Sequence, residues 1–206
     1  MKILLIGPPA SGKGTVGGKL SERLNIPLTS VGELLRAIPE NNPLKGKIDK
    51  IMERGDLVPQ SIIAQLLKEE ISKELSSGGF IFDGWGRRKE DLDYFDPGFD
   101  KVILLEISPE TALRRIASRR TCEKCGAVFN IEYIPPKKEG VCDFCGGKVT
   151  KREDESEETT KKRLGIFYNE TKETIDFYKK NGKLLEINAE GAPEQVFNLV
   201  LKALGL

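Results

Sequence analysis

The feature that most constrains the fold is the passage from an apolar run into a glycine-rich loop at the start of the chain. The run Ile3-Leu4-Leu5-Ile6 is short and uninterrupted, which favours a strand buried on both faces. It leads directly into GPPASGKGT at residues 7–15. Gly7 and Gly12 permit backbone conformations that a Cβ atom hinders, so this loop is able to turn successive N–H groups toward a phosphate. The alternative is a glycine-rich turn that binds nothing.

Side chains in and near this loop indicate a magnesium–nucleotide site. Lys13 would bring an ammonium group to the outer phosphates, and Thr15 offers a hydroxyl to a magnesium ion. Asp83 directly follows the apolar run at 80–82, and an acid at a strand end beside a phosphate loop binds magnesium through its water shell. The alternative for Asp83 is an ordinary residue in the turn after the strand.

The rest of the pattern predicts an α/β fold with a doubly wound, parallel, five-stranded sheet. Apolar runs typical of buried strands occur at 2–6, 79–82, 101–107 and 183–188, with a shorter fifth run at 26–30. Helical stripes lie between them, and we interpret them as core faces: Val16, Leu20 and Leu24; Ile63, Leu67, Ile71 and Leu75; Leu164, Tyr168, Thr171, Ile175 and Tyr178. Strands alternating with helices and joined by right-handed crossovers give this architecture.

Two segments interrupt the alternation, and the second contains all four cysteines. Residues 30–58 carry short helical patterns and no strand signal. Within residues 120–156, two Cys-x-x-Cys pairs, Cys122/Cys125 and Cys142/Cys145, are separated by 16 residues, which is a zinc-ribbon spacing. Four thiolates leave no position for water, so the expected Zn²⁺ is structural rather than catalytic. Two disulfides or four incidental thiols are the alternatives.

Composition excludes several function classes. Lys and Arg number 33 against 32 Asp and Glu, a balance that gives no electrostatic case for nucleic acid or an anionic membrane. No apolar run approaches the roughly 20 residues that span a bilayer. Met1 leads straight into the first strand, so we expect a cytoplasmic protein without a signal peptide. The chain has no histidine, so its chemistry must proceed without an imidazole base.

Arginines cluster at the edges of the two inserted segments. They include Arg36, Arg87, Arg119, Arg152 and Arg163. The planar guanidinium suits phosphate oxygens, and a closing flap would bring these groups to a phosphate chain. Phosphoryl transfer between two nucleotides fits this set, because the accepting phosphate oxygen is already ionised and needs no base.

Over essentially its whole length the chain resembles the adenylate kinases, in their long form with a zinc-binding lid. The segments that carry the resemblance occur in the family's order: GPPASGKGT at 7–15, IPLTSVGELLR at 26–36, GFIFDGWGRR at 79–88, the cysteine segment, RED at 152–154 and KKRL at 161–164. The resemblance implies the reaction ATP + AMP = 2 ADP. It also implies a P-loop NTPase core (1–29, 59–117 and 157–206), a nucleoside monophosphate (NMP)-binding insert (30–58) and a zinc-ribbon-like lid (118–156).

The resemblance further assigns site residues by position. Its ATP contacts are Ala10, Ser11, Gly12, Lys13, Gly14, Thr15, Arg119, Val128, Phe129 and Ala192. Its AMP contacts are Ser30, Val31, Arg36, Asp56, Leu57, Val58, Gly84, Trp85, Gly86, Arg87, Asp91, Arg152 and Arg163. Its catalytic groups are Lys13, Arg87, Arg119, Arg152 and Arg163. The expected partners are ATP and a nucleoside monophosphate, with Mg²⁺ as cofactor, and we expect a monomer.

Departures from the family pattern lie on the acceptor side. Val31 stands where a threonine is usual, Gly86 where a proline is usual, and Asp91 where a glutamine pairs with adenine. An ionised carboxylate only accepts hydrogen bonds, so Asp91 would suit donor-rich base edges such as those of guanine or cytosine. The alternative is that Asp91 faces solvent.

We therefore expect an AMP kinase and retain three other functions. The first is a kinase whose acceptor is GMP or CMP. The second is a nucleotide-sensing module without turnover, against which the retained lysine and arginines argue. The third is a zinc-ribbon protein that binds nucleic acid, which the acidic run at 153–158 disfavours.

Overall fold

The computed structural model describes residues 1–74, 78–152 and 155–206. In chain order its strands are β1 (Lys2–Ile6), β2 (Leu28–Ser30), β3 (Phe80–Asp83), β4 (Lys101–Glu106), β5 (Arg119–Cys122), β6 (Val128–Asn130), β7 (Val149–Thr150) and β8 (Leu184–Asn188). Its helices are α1 (Lys13–Leu24), α2 (Val31–Arg36), α3 (Lys45–Glu53), α4 (Gln60–Glu74), α5 (Asp91–Tyr94), α6 (Pro109–Ala117), α7 (Glu157–Glu170), α8 (Lys172–Lys180) and α9 (Pro193–Leu204).

Within the described ranges, five parallel strands form the central sheet in the order β2-β3-β1-β4-β8. The central strand β1 explains why the apolar runs show no polar interruption. Ile3 and Leu5 pack in one hydrophobic cluster, while Leu4 and Ile6 pack in another. Successive side chains of a strand point to opposite faces, and helices cover both faces of this sheet. The predicted doubly wound fold is confirmed.

The glycine-rich loop lies at the carboxyl edge of this sheet, because it directly follows β1. In the parallel pairing of β1 with β3, Leu5 lies opposite Asp83, and Ser30 of β2 also lies opposite Asp83. Three neighbouring strands therefore end together at the loop. Crevices at the carboxyl ends of parallel strands are where open α/β sheets bind ligands.

The two interrupting segments form separate substructures beside this edge. The segment after β2 contains α2 and α3. The second segment contains an antiparallel sheet in the order β6-β5-β7, with a small core of Cys122, Phe129, Cys142 and Val149. Glu153 and Asp154, from the motif at 152–154, lie outside the described residues.

One predicted stripe is wrong in part. The pattern from Leu164 to Tyr178 is divided between two helices, because α7 ends at Glu170 and α8 begins at Lys172. Tyr168 is 44% exposed and does not belong to the core. Leu75, from another stripe, lies outside the described residues. A search of the described helices finds no segment with the length and apolarity of a membrane span.

Candidate active site

The loop at 7–15 has the backbone of a compact phosphate cradle. Gly12 has φ +94°, and Ala10 has φ +62°. A Cβ atom on Gly7 would lie 2.5 Å from Ser11 Oγ and 2.6 Å from the Leu105 carbonyl oxygen. Both distances are too short for any side chain, so this position requires glycine.

Lys13 extends back along the loop into the cleft. Its Nζ atom donates to the carbonyl oxygens of Gly7 at 2.8 Å and Pro8 at 2.9 Å. Desolvation by the surrounding protein lowers the pKa of Lys13 to about 8; nearby Asp83 opposes that shift, while the positive charges of Arg87 and Arg119 add to it. These four charged groups therefore lie close together, although three different segments of the chain supply them.

Arg87 lies on the acceptor side of the cleft. A Cβ atom on Gly84 would lie 3.7 Å from Arg87 Nη2 and 3.9 Å from Val31 Cβ, so these three residues adjoin. The pKa of Arg87 is lowered by desolvation, and the neighbouring charges include Asp83, which raises it, and Arg163, which lowers it. Positive charge is thus concentrated between the loop at 7–15 and helix α7.

Glu33 bridges the first inserted segment and the cysteine-containing segment. Its Oε1 atom accepts from Arg36 Nη2 at 2.7 Å and from Arg152 Nη2 at 3.4 Å. Arg36 lies at the end of α2, and Arg152 follows β7. A carboxylate thus holds together two guanidinium groups from opposite sides of the cleft.

Glu155 also joins two arginines, but deeper in the structure and within the cysteine-containing segment. Its side chain is only 1% exposed, and its Oε1 atom lies 2.6 Å from Arg119 Nη1 and 3.9 Å from Arg152 Nη1. Arg152 also donates through Nε to Thr121 Oγ1 at 2.8 Å. The buried acid thereby fixes two of the predicted catalytic arginines in one orientation.

Helix α7 holds the end of the first inserted segment. Arg163 Nη2 donates to the Met52 carbonyl oxygen at 2.9 Å. Asp56 pairs with Lys162, whose hydrogen bond is the main reason that the pKa of Asp56 is lowered. Arg163 is thereby placed between residues 52–56 and the cleft that holds Arg87.

Several predicted contacts have buried side chains. Trp85, Val58 and Phe129 are 2%, 3% and 3% exposed, and Trp85 Nε1 donates to the Phe95 carbonyl oxygen at 3.0 Å. Val31 is buried as well. Such residues would meet a nucleotide mainly through their backbones, whereas Val128 is 49% exposed and presents its side chain.

Asp91 does not face solvent, so that alternative is wrong. It is 3% exposed, and its Oδ2 atom accepts the Arg88 backbone N–H at 3.1 Å. Burial raises the pKa of Asp91 against the opposing effect of the Arg88 and Arg87 backbone N–H groups. Gly86 has φ +64°, which proline cannot adopt, so the proline of the family pattern would not fit this backbone.

The four cysteines form a cluster that could hold a metal ion. All four sulfur atoms lie within 4.8 Å of one another, with Sγ–Sγ distances of 3.5 Å for Cys122–Cys145 and 3.6 Å for Cys125–Cys142. Hydrogen bonds from the backbone N–H groups of Cys125 and Lys124 lower the pKa of Cys122 and favour its thiolate, whereas, against the lowering effect of the Ala127 backbone N–H, the neighbouring cysteine sulfurs and burial raise the pKa of Cys125.

The two Cys-x-x-Cys turns have matching geometry. Gly126 N–H donates to the Cys122 carbonyl oxygen, and Gly146 N–H donates to that of Cys142, both at 3.0 Å. A Cβ atom on Gly147 would lie 2.9 Å from Cys122 Sγ and 3.2 Å from Cys145 Sγ. These glycines therefore let two knuckles close around one centre, as four thiolate ligands of a tetrahedral ion require.

Arg115 is one of the arginines just before the cysteine-containing segment, and the resemblance assigned it no role in the site. It donates through Nη2 to the carbonyl oxygens of Ala189 at 2.9 Å and Gly191 at 3.0 Å, and through Nη1 to that of Ala10 at 3.4 Å. Its guanidinium group lies 5.7 Å from the Tyr133 ring centroid. It connects the phosphate loop with the turn before Ala192. Only its position on α6 indicated a role, because no motif surrounds it.

A family model described as Adenylate kinase matches residues 5–183. The chain belongs to the adenylate kinase family. A protein named Adenylate kinase from Caldicellulosiruptor bescii is 40% identical over 214 residues, covering 100% of both chains. A protein of the same name from Syntrophobacter fumaroxidans is 38% identical over 100% of both chains. Another, from Thermosipho africanus, is 37% identical over 98% of both chains. As an adenylate kinase, the chain is a phosphotransferase, and its reaction is ATP + AMP = 2 ADP.

Proposed function

We propose that Lys13, Arg87, Arg119, Arg152 and Arg163 perform this transfer by surrounding the two phosphate chains. The observation that supports this most is the meeting of Lys13, Asp83, Arg87 and Arg119 in one cleft. Fixed positive charge at a transferring phosphoryl group stabilises the charge that develops in the transition state. Positioning and charge stabilisation then suffice for catalysis without a general base, which fits a chain that has no histidine.

The donor and acceptor occupy opposite sides of this charge cluster. ATP binds along the phosphate loop from Ala10 to Thr15, with Arg119, Val128, Phe129 and Ala192 around the rest of the molecule. AMP binds among Ser30, Val31, Arg36, Asp56, Leu57, Val58, Gly84, Trp85, Gly86, Arg87, Asp91, Arg152 and Arg163. An oxygen of the AMP phosphate forms the new bond to the γ-phosphorus as the bond to the ADP leaving oxygen breaks.

Magnesium fits the donor set that Thr15 and Asp83 provide. Both are oxygen donors, which this hard cation prefers, and Asp83 ends β3 directly opposite β1. Thr15 and Asp83 would hold the ion, which would supply positive charge that neutralises part of the charge of the ATP phosphates. Lys13 and the arginines orient the remaining oxygens.

We infer three functional parts: the core, the NMP-binding insert at 30–58 and the lid at 118–156. Two contacts between the parts support this division: Glu33–Arg152 joins the insert to the lid, and Arg163–Met52 joins the insert to the core. Closure of both segments would exclude water and so prevent hydrolysis of ATP. We further propose that the enzyme acts as a monomer, which light scattering would test.

Zinc is the metal we assign to the cysteine cluster. The cluster suits a closed tetrahedral site, because it combines four cysteine sulfurs with two matched Cys-x-x-Cys turns. Gly147 leaves the space that the sulfur atoms occupy. The four ligands are all protein groups, so the ion would stabilise the lid and take no part in the transfer.

The proposed acceptor is tested by a panel of nucleoside monophosphates. ATP-dependent ADP formation would be measured with AMP, GMP, CMP and UMP at equal concentrations. AMP should exceed the others by a wide margin. Preference for GMP or CMP would instead indicate that Asp91 recognises a donor-rich base, and ATP binding without turnover on any of the four would indicate a sensor.

A further inference from the structure

A polar seam runs between helix α8 and the loop at residues 84–91. Three hydroxyl-bearing residues follow one another at helical spacing: Thr171, the residue just before α8, and Thr174 are 0% exposed, and Tyr178 is 2% exposed. Among the described residues, none of their three hydroxyl oxygens has a hydrogen-bond partner, and neither does Asp91 Oδ1. These four atoms form most of the small set of buried polar side-chain atoms without partners in the described part of the chain.

The loop at 84–91 packs against this face of α8. A Cβ atom on Gly86 would lie 3.9 Å from Thr174 Cγ2, and Arg88 forms an ion pair with Glu170, next to Thr171. At the far end of the seam, Asp96 is close enough to contribute to the raised pKa of Tyr178, whose main cause is burial. The carboxylate and the hydroxyls therefore belong to the two sides of one contact.

Buried polar groups in proteins are satisfied by protein partners or by ordered water, because leaving one unpaired is costly. Water enters such a site where several polar groups converge and stays out of apolar cavities. The seam is of the first kind, because the loop that carries the buried Asp91 Oδ1 atom packs against the residues that carry the buried hydroxyls. Each hydroxyl is able to donate to a water or accept from one.

We propose that this seam binds ordered water that bridges Asp91 Oδ1 to the hydroxyl groups of Thr171 and Thr174, and that the two threonines thereby position Arg87. Asp91 Oδ2 holds the Arg88 backbone N–H, so the bridged carboxylate fixes the backbone from which the Arg87 side chain reaches the cleft. Thr171 and Thr174 are then positioning residues for the acceptor side. This inference rests on the proposed role of Arg87 toward AMP.

The test compares Thr174→Val, which keeps the side-chain shape and removes the hydroxyl, with Thr174→Ser, which keeps the hydroxyl. The valine variant should raise KM for AMP about three- to tenfold, the effect of losing one bridged hydrogen bond, with KM for ATP unchanged. The serine variant should retain the wild-type KM for AMP. In an Asp91→Asn background, Thr174→Val should have a smaller effect, because the two groups share one bridge.

Thermal melting and the wild-type structure provide readouts that do not depend on activity. A hydrated seam predicts that Thr174→Val lowers Tm, whereas an unpaired, dry hydroxyl predicts that it raises Tm. Crystals of the wild-type protein should show water within hydrogen-bond distance of Asp91 Oδ1 and a threonine hydroxyl.

A dry seam, an unchanged KM for AMP, or an equal rise in both KM values would overturn the proposal. If the wild-type protein lacked kinase activity, the proposed function would fail, while the crystallographic and melting results would still decide whether the seam binds water.

Discussion

The buried position that suits Lys13 for phosphate binding also destabilises the ligand-free fold. Its ammonium is desolvated beside Arg87 and Arg119, which lowers its pKa to about 8 from an ordinary 10.5. A lysine with a lower pKa in the folded than in the unfolded state destabilises the fold while it is protonated. That cost is fully present below about pH 8 and disappears as pH rises toward 10.5. Phosphate oxygens would replace the lost solvation when nucleotide binds.

Replacing Lys13 by methionine should separate these two effects. Turnover should fall by about 10²-fold or more, because a charge that stabilises the transition state is removed. The ligand-free variant should gain unfolding free energy relative to wild type at pH 7, and that gain should shrink by pH 10. Urea unfolding at both pH values, with the ADP-forming assay, provides the measurements. Near-normal turnover would contradict the role assigned to Lys13.

Arg115 acts through backbone carbonyls. Its fork joins Ala10 to Ala189 and Gly191, so it fixes the phosphate loop against the turn that precedes α9. Arg115→Met should raise KM for ATP about tenfold, since several charge-assisted hydrogen bonds are lost, and should leave KM for AMP nearly unchanged. Arg115→Lys keeps the charge but loses the planar fork. Its KM for ATP should therefore lie between those of the wild type and Arg115→Met. An equal change in both KM values would show that Arg115 only supports the fold.

At the scale of elements, we expect the proposed lid to depend on its cysteines, because the hydrophobic cluster around them is very small. In the described part of the segment, the buried cluster consists of Phe129, Val149 and two of the cysteines, with Ala127 and Cys145 partly buried against it. Strand β7 contributes two residues to the sheet. Segments of this size usually require a metal or disulfides for independent order.

Removing zinc should therefore unfold the lid before the core. Chelation should lower Tm by roughly 5 °C or more, with loss of activity before loss of helical circular dichroism. Cys142→Ser should lower both zinc content and Tm, and chelator should then have little further effect. If the serine variant kept wild-type zinc content and melting, the four-cysteine site would be refuted.

At the scale of the whole molecule, ion pairs across the cleft favour a closed arrangement. Glu33 joins Arg36 to Arg152, and Lys162 pairs with Asp56. These side chains are partly exposed, so each pair contributes little and is weakened by salt. The closed form should thus be only modestly favoured, which leaves the cleft free to open for substrates.

Neutralising Glu33 should shift the ligand-free enzyme toward the open form. Glu33→Gln should increase the radius of gyration measured by small-angle X-ray scattering at low salt, and high salt should reduce the difference from wild type. Glu53→Gln, the same charge change on the same insert, serves as control. Variant and wild type should become equal when both nucleotide sites are filled. No difference at low salt would show that Glu33 does not hold the cleft closed.

The main features of the fold and the metal cluster followed from local pattern. Ile3 to Ile6 alternate between two buried faces, so an uninterrupted apolar run predicted a central parallel strand. Gly12, with positive φ, and Gly7, with no space for a Cβ atom, were recognisable from their place between strand and helix. The cysteine spacing predicted the cluster because both knuckles are closed by short local hydrogen bonds.

The partners of the charged side chains were decided by the tertiary structure alone. Glu33 binds Arg152 across the cleft, and Glu155 and Arg115 also bind groups that are distant in sequence. Asp91 is buried in a turn that Gly86 permits, although its sequence position alone left a solvent-facing side chain possible. By itself, the sequence determined the elements, the loop and the cysteine cluster, since these depend on neighbouring residues. Only the packing of distant elements decided which charges meet, because burial and distance set the strength of each pair.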